Sequence, residues 1–195
     1  MSRKIMLLIP LLFMVGCSSL SLKTIDGPMD QLSNYRYGYH MLVPNNWKRS
    51  VNSNIRPTEL TMKAPDVDAA IIVLTSEGHT LPTMQQFIES RTRHKGTEAF
   101  TLIRSWRLPF DDNTGYIINF HWKGTMLFGG KKHGKKGVEY QATVAVVERD
   151  PSPIMLVGFA PKDKFKKLNN KFFAHARDSL KVEPVELTVR EVTEE

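Results

Sequence analysis

Few residues in this chain combine a type and a spacing that could do chemistry. The six histidines, His40, His79, His94, His121, His133 and His175, are scattered. None forms an H-E-x-x-H pair or another metal-ligand spacing. No G-x-S-x-G nucleophile elbow occurs. Asp111-Asp112 precede Asn113-Thr114-Gly115, a setting in which adjacent carboxylates are ordinary turn residues and not an acid pair. Gly129-Gly130-Lys131-Lys132-His133-Gly134-Lys135-Lys136 reads as G-x-x-x-x-G-K. A phosphate loop needs Ser or Thr next, with a helix behind it. Lys136 holds that place and a strand pattern follows, so the segment reads as a basic hairpin loop. Its lysines repel one another, which makes Lys131, Lys132, Lys135 and Lys136 candidate contacts for an anionic group. The sole thiol is Cys17. No catalytic set, metal or cofactor emerges.

Cys17 closes a leader in which Arg3-Lys4 precede an apolar run from Ile5 to Val15. A positive start, a short apolar stretch and a small residue before the cut make an export signal. The run is shorter than the about 20 apolar residues a spanning helix needs, and Pro10 interrupts it. One alternative is an ordinary secretory leader with an incidental cysteine. Met14-Val15-Gly16-Cys17 resembles the bacterial lipobox, with Met14 and Val15 replacing its usual leucine and its usual alanine or serine. That resemblance implies cleavage between Gly16 and Cys17, a diacylglyceryl thioether on the sulfur and an acyl chain on the new amine. Two or more such chains anchor a protein stably. Ser18 stands where aspartate would signal inner-membrane retention, so the resemblance implies the outer membrane, facing the periplasm. The rest of the chain has no cysteine, so its stability must come from an ordinary core.

A hydrophobic content of 41% and a charged content of 24% describe a globular chain. The formal charge of +7 falls to about +5 once Arg3 and Lys4 leave, a balance that suits anionic headgroups or polyanions of the envelope but equally an ordinary solvated surface. For an exported, lipidated chain nucleic acid is not an expected one. Residues 1–16 are therefore read as leader, 17–33 as a polar tether, 34–182 as the domain and 183–195 as an arm or extra edge strand.

Tyr35 to Pro44 is aromatic, β-favouring and stopped by proline, which predicts a strand entering a turn. Thr58–Lys63 and Ala69–Thr75 predict strands, the second well buried. A helix is expected from Leu81 to about Lys95, with Thr80 as N-cap, Pro82 in the first turn and Gly96 as the stop. Four strands follow at Ala99–Leu108, Thr114–Trp122, Glu139–Val147 and Pro153–Phe159. Tyr116, Ile118, Phe120 and Trp122 share one face of the second, and Tyr140, Ala142, Val144 and Val146 one face of the third. From Pro161 to about Lys181, Phe165, Leu168, Phe172, Ala176 and Leu180 form a helical stripe, with Phe173 beside it. Beyond Pro184, Val185, Leu187 and Val189 alternate like a strand. This order argues α+β, a central antiparallel sheet flanked by helices.

Tyr39-His40-Met41-Leu42-Val43-Pro44-Asn45-Asn46-Trp47 resembles the opening strand, proline, polar turn and tryptophan of the PsbP-like family, which includes DcrB-related bacterial lipoproteins. Phe172-Phe173 through Ser179-Leu180-Lys181 resembles its closing helix. The resemblance spans roughly Tyr35 to Val182 and implies an α/β/α sandwich. It also implies a binding or assembly role without turnover, and it brings no catalytic residues. On physical grounds Pro44 ends the strand and Trp47 caps the sheet edge. The expectation is therefore a membrane-anchored, non-enzymatic lipoprotein that binds an envelope protein in complex assembly or maintenance. The alternative is a module that binds anionic lipid, polyanion or a small ligand through the lysine loop.

Overall fold

The computed structural model describes residues 29–52, 58–75, 82–110, 112–149 and 152–183. In chain order they form β1 (Met29–Asn34), β2 (Tyr39–Pro44), β3 (Lys48–Asn52), β4 (Thr58–Lys63), β5 (Ala70–Thr75), α1 (Met84–Thr92), β6 (Thr97–Phe110), β7 (Asn113–Gly124), β8 (Met126–Phe128), β9 (Lys131–His133), β10 (Glu139–Glu148) and β11 (Ile154–Pro161). A broken helix follows, made of α2 (Lys162–Leu168), a π-helical turn (Asn169–Phe173) and α3 (Ala174–Asp178), and then β12 (Lys181–Val182). Seven strands make one sheet in the order β3-β4-β5-β11-β10-β7-β6, antiparallel at every pairing. β1, β2 and β12 make a small second sheet, and β8 and β9 a hairpin. The α+β expectation holds in that form, as a large antiparallel sheet with helices packed on it.

Strand alternation sends side chains to two separate cores, one on each face. The first gathers Ile71, Val73, Ile117, Ala145 and Leu156 of the large sheet against Tyr39, Met41 and Val43 of β2 and the stripe of the broken helix. The second gathers Tyr116, Ile118, Phe120, Trp122, Tyr140, Ala142, Val144 and Val146 beneath Phe87 of α1 and Met126 and Phe128 of β8. Both period-two faces read from the sequence are thus buried as expected. β5 lies between neighbours with both faces covered, which explains its unbroken Ala70-Ile71-Ile72-Val73-Leu74 run. The two covering layers are unequal. The first face carries the long broken helix, whereas the second is closed by a nine-residue helix and a β-hairpin.

Several local expectations are corrected. Met29–Ser33, expected to be the end of the tether, belong with Asn34 to β1, which pairs along its whole length with β2. The strand expected from Tyr35 begins only at Tyr39, because residues 35–38 turn between β1 and β2, with Gly38 at φ 51°. The helix expected from Leu81 starts at Met84, and its cap is Thr83. The Thr83 side chain accepts from the Gln86 amide, and the Gln86 side chain accepts from the Thr83 amide, a capping box that Thr80 and Pro82 do not supply. Thr80 itself lies outside the described residues. The helix ends at Thr92 with Arg93 as C-cap, and Gly96 (φ 109°) turns the chain into β6.

β3 has no apolar alternation and so left no period-two signal. It is the charged outer edge of the sheet. Trp47 does not cap a sheet edge. It is buried and meets Phe172 and Phe173 edge-on at 5.3 and 6.1 Å. The π-helical turn inserts an extra residue, and both Phe172 and Phe173 end up buried in the first core. Residues 184–195, with the proposed arm or strand, lie outside the described residues, as do Gly16 and Cys17.

Candidate functional site

The lysine loop is built on the β8–β9 hairpin. Gly129 and Gly130, at φ 56° and 81°, form its two-residue turn. Successive positive φ values match the twist of a hairpin, so these glycines serve a turn and not a phosphate cradle. No helix follows, since the chain continues into β10. The lysines do not act together. Lys131 Nζ lies 3.0 Å from Oε1 of Glu59, a carboxylate with 0% exposure, and Thr61 Oγ1 donates to the same oxygen at 2.5 Å. Lys131 is therefore held by an internal partner and leaves the anion-contact set. Lys132 and Lys135 line an open cleft of about 450 Å³, together with Lys63 of β4. Lys136 is exposed in the turn beyond, and is not among the residues lining that cleft.

Other polar residues are engaged in the scaffold. Arg91 lies over the rings of Phe87 (4.8 Å) and Phe128 (5.2 Å) and donates to the Leu127 carbonyl. Burial lowers its pKa to about 10, and it fastens α1 to the hairpin. Arg149 donates to the carbonyls of Tyr37, Gly38, Ser152 and Glu183, tying the small sheet to the end of β10. Tyr140 donates to Asp68 at 2.5 Å, and burial, then that carboxylate, pushes its phenol pKa up. Asp112 sits in the β6–β7 turn, and His121 lies half-buried on β7. Among the described residues no three His, Cys, Asp or Glu side chains are grouped to hold a metal. None of the described helices is long and apolar enough to cross a membrane.

Three of the six exposed large apolar side chains among the described residues lie on β6. This 14-residue strand ends the large sheet and has no partner on its outer side among the described strands. Leu102, Ile103 and Leu108 are 40%, 50% and 36% exposed, while Phe100 and Trp106 are half-buried against the second and first cores. The register with β7 shifts between Leu102 and Arg104, which reverses the facing of the residues that follow. Leu102 and Arg107 accordingly pair with Phe120 and Tyr116 of the second-core face, and Arg104 and Leu108 with Asn119 and Gly115 of the other. Arg104 stacks over Trp106 at 5.0 Å, and Arg107 lies 3.5 Å from Glu148. The Ala99–Leu108 pattern predicts this strand but marks no surface on it. The adjacent Leu102-Ile103 pair, which no regular strand can bury on one face, was the available signal.

No family model matches the chain, and no curated protein matches it. Solved structures do resemble it. Cyanobacterial PsbP (CyanoP) from Synechocystis sp. PCC 6803 aligns with a TM-score of 0.58 at 16% identity, covering 80% of this chain and 92% of that one. PA94 of Pseudomonas aeruginosa, a protein of unknown function described as a putative regulator, gives 0.49 at 12% identity over 81% and 99%. LpqN of Mycobacterium tuberculosis, described as involved in cell envelope biogenesis, gives 0.47 at 12% over 80% and 91%. The CyanoP likeness shows that the fold is PsbP-like.

Proposed function

We propose that this chain is a lipid-anchored protein of the bacterial envelope that works by contact, without turnover, by binding a partner protein along β6. Its anchor is the acylated Cys17 left by cleavage after Gly16, and its membrane is the outer one, on the periplasmic side. The observation that carries the contact reading is the β6 edge, unpaired among the described strands, with three large apolar side chains in solvent. Natural sheets protect such edges with charge, bulges or short length. Here a bulge and two arginines are present, but the edge runs 14 residues and keeps its apolar groups. An extended segment of the partner adds there as a further strand, its main chain supplying affinity and its alternate side chains specificity. Acidic groups on that segment complement Arg104 and Arg107.

A photo-crosslinking residue placed at Thr101 or Ile103 in intact cells should give a discrete adduct that the same probe at Lys166 does not. Equal labelling at all three positions, or none, would reject the edge as the contact. The anchor is tested separately, by the mass of the N-terminal lipopeptide. An unmodified Cys17 would reject it.

A further inference from the structure

The cleft beside the lysine loop has a composition that β6 docking does not use. Its walls are the 64–69 bend and the β9–β10 connection. Lys63, Lys132 and Lys135 line it, and so do Asp66 and Asp68. The mixture is unlike a simple anion pocket, because the two carboxylates oppose a second negative charge as strongly as the lysines invite a first. At its wall lies His133, 7% exposed and set between Phe128 and Phe159 at 5.9 and 5.5 Å. Its Nε2 is buried without a hydrogen-bond partner, and buried polar atoms are ordinarily paired. Burial lowers the pKa of this imidazole, so near pH 7 the ring adds no positive charge to the cleft and its protons report what binds there.

We propose that this cleft binds a zwitterion in which a phosphodiester and a primary ammonium lie a few bonds apart, the chemistry of a phosphoethanolamine group. The phosphate meets Lys132, Lys135 and Lys63 beside the His133 ring, and the ammonium meets Asp66 and Asp68. Phosphate oxygens and lysine ammonium groups form charge-assisted hydrogen bonds of the strong kind. The cleft is open and larger than the headgroup alone, so the remainder of the ligand extends outward. The same chemistry can come from a membrane lipid or from a free glycerophosphodiester.

The test uses the full chain in detergent micelles that contain no phosphate, with nuclear magnetic resonance of the His133 ring protons as the readout. Glycerophosphoethanolamine should shift those resonances saturably, and glycerophosphoglycerol, which lacks the ammonium, should not. The paired substitutions K132Q and K135Q should weaken binding about tenfold or more, the scale of one lost charged hydrogen bond. K166Q with K167Q removes the same charge from exposed positions on α2 and should leave binding unchanged. Binding of glycerophosphoethanolamine together with flotation on phosphatidylethanolamine vesicles by an acyl-free chain beginning at Ser18 supports the lipid as source. Binding without flotation supports the free diester. Absence of any His133 shift, equal binding of glycerophosphoglycerol, or equal loss from both lysine pairs would overturn the proposal. None of these outcomes depends on β6.

Discussion

Substituting Lys131 by methionine should destabilise the domain far more than removal of a surface lysine. Glu59 is fully buried and its Oε2 has no hydrogen-bond partner, so Lys131 and Thr61 supply its compensation through Oε1. Removing one member of a buried ion pair costs about 3–5 kcal/mol, because the remaining charge is left desolvated and unpaired. The Lys131 side chain is 42% exposed, so part of that field is already screened, and about 2–4 kcal/mol is the expected loss. Methionine keeps most of the lysine stem, which isolates the ammonium as the cause. With a urea slope of about 2 kcal/mol/M, the unfolding midpoint should fall by about 1–2 M. Tryptophan fluorescence reports it, since Trp122 lies 6.1 Å from Phe128 of the same hairpin. Pairing the change with Glu59→Leu should restore the midpoint to within about 0.5 M, because apolar replacement of a whole buried pair is often neutral. A single-variant shift below about 0.3 M, or a double variant no more stable than the single, would refute the assignment of Lys131 as an internal counter-ion.

Three further outcomes follow from the same structure. Arg149→Lys should lose about 2–3 kcal/mol, because a point charge cannot reach the four carbonyls the planar guanidinium serves. Amide exchange should then quicken in β1, β2 and β12, and unchanged protection there would contradict the role. His133 faces Glu59, Lys63, Lys131 and Asp68, and burial holds its pKa below the ordinary 6.5. The folded chain thus takes up fewer protons than the unfolded one as pH falls through 6.5 toward the lowered folded value, and stability declines across that window. His133→Gln should flatten the slope by up to about 1.4 kcal/mol per pH unit, and an unaltered slope sinks the claim. Gly158→Ala places a Cβ 2.6 Å from the Phe173 ring, so unfolding should become easier by about 1–3 kcal/mol. Calorimetry showing no fall in Tm would count against the close packing of β11 and the π-helical turn.

The legible parts of the fold are those in which side-chain period and burial agree. β7 and β10 alternate cleanly because each splits its residues between two cores, and the Phe165-to-Leu180 stripe survives the π-helical turn because both ends still face the first core. What escaped has a physical reason in each case. β1 and β3 carry mostly polar residues and are held by main-chain pairing with β2 and β4, which leaves no periodic trace. The α1 cap was displaced because Thr80, Pro82 and Thr83 all suit a helix start. Only the Gln86 side chain three residues on selects Thr83. The bulge near Ile103 cannot be read from composition, yet it decides which face of the sheet Arg104 and Arg107 occupy.

The lysine loop shows why a charge cluster is weak evidence until its internal partners are known. As a sequence, Lys131, Lys132, Lys135 and Lys136 pose one question, how their repulsion is relieved, and an external anion is one answer. The fold answers part of it from inside. β9 alternates, so adjacent Lys131 and Lys132 point to opposite sides, and Lys131 turns inward to a carboxylate from β4, which is distant in sequence but adjacent in space. That ion pair also spans the mouth of the hairpin turn, where a Cβ on Gly129 would collide with the Glu59 carboxylate. The same fold brings Lys63, from the far end of β4, to the cleft occupied by Lys132 and Lys135. One lysine is thus subtracted from the cluster and an unrelated one is added. The resulting set differs from the sequence motif in membership, and it faces Asp66 and Asp68, which the motif does not contain. Charge along the chain predicts a field, but the ligand class follows only from the side chains that converge on one cleft.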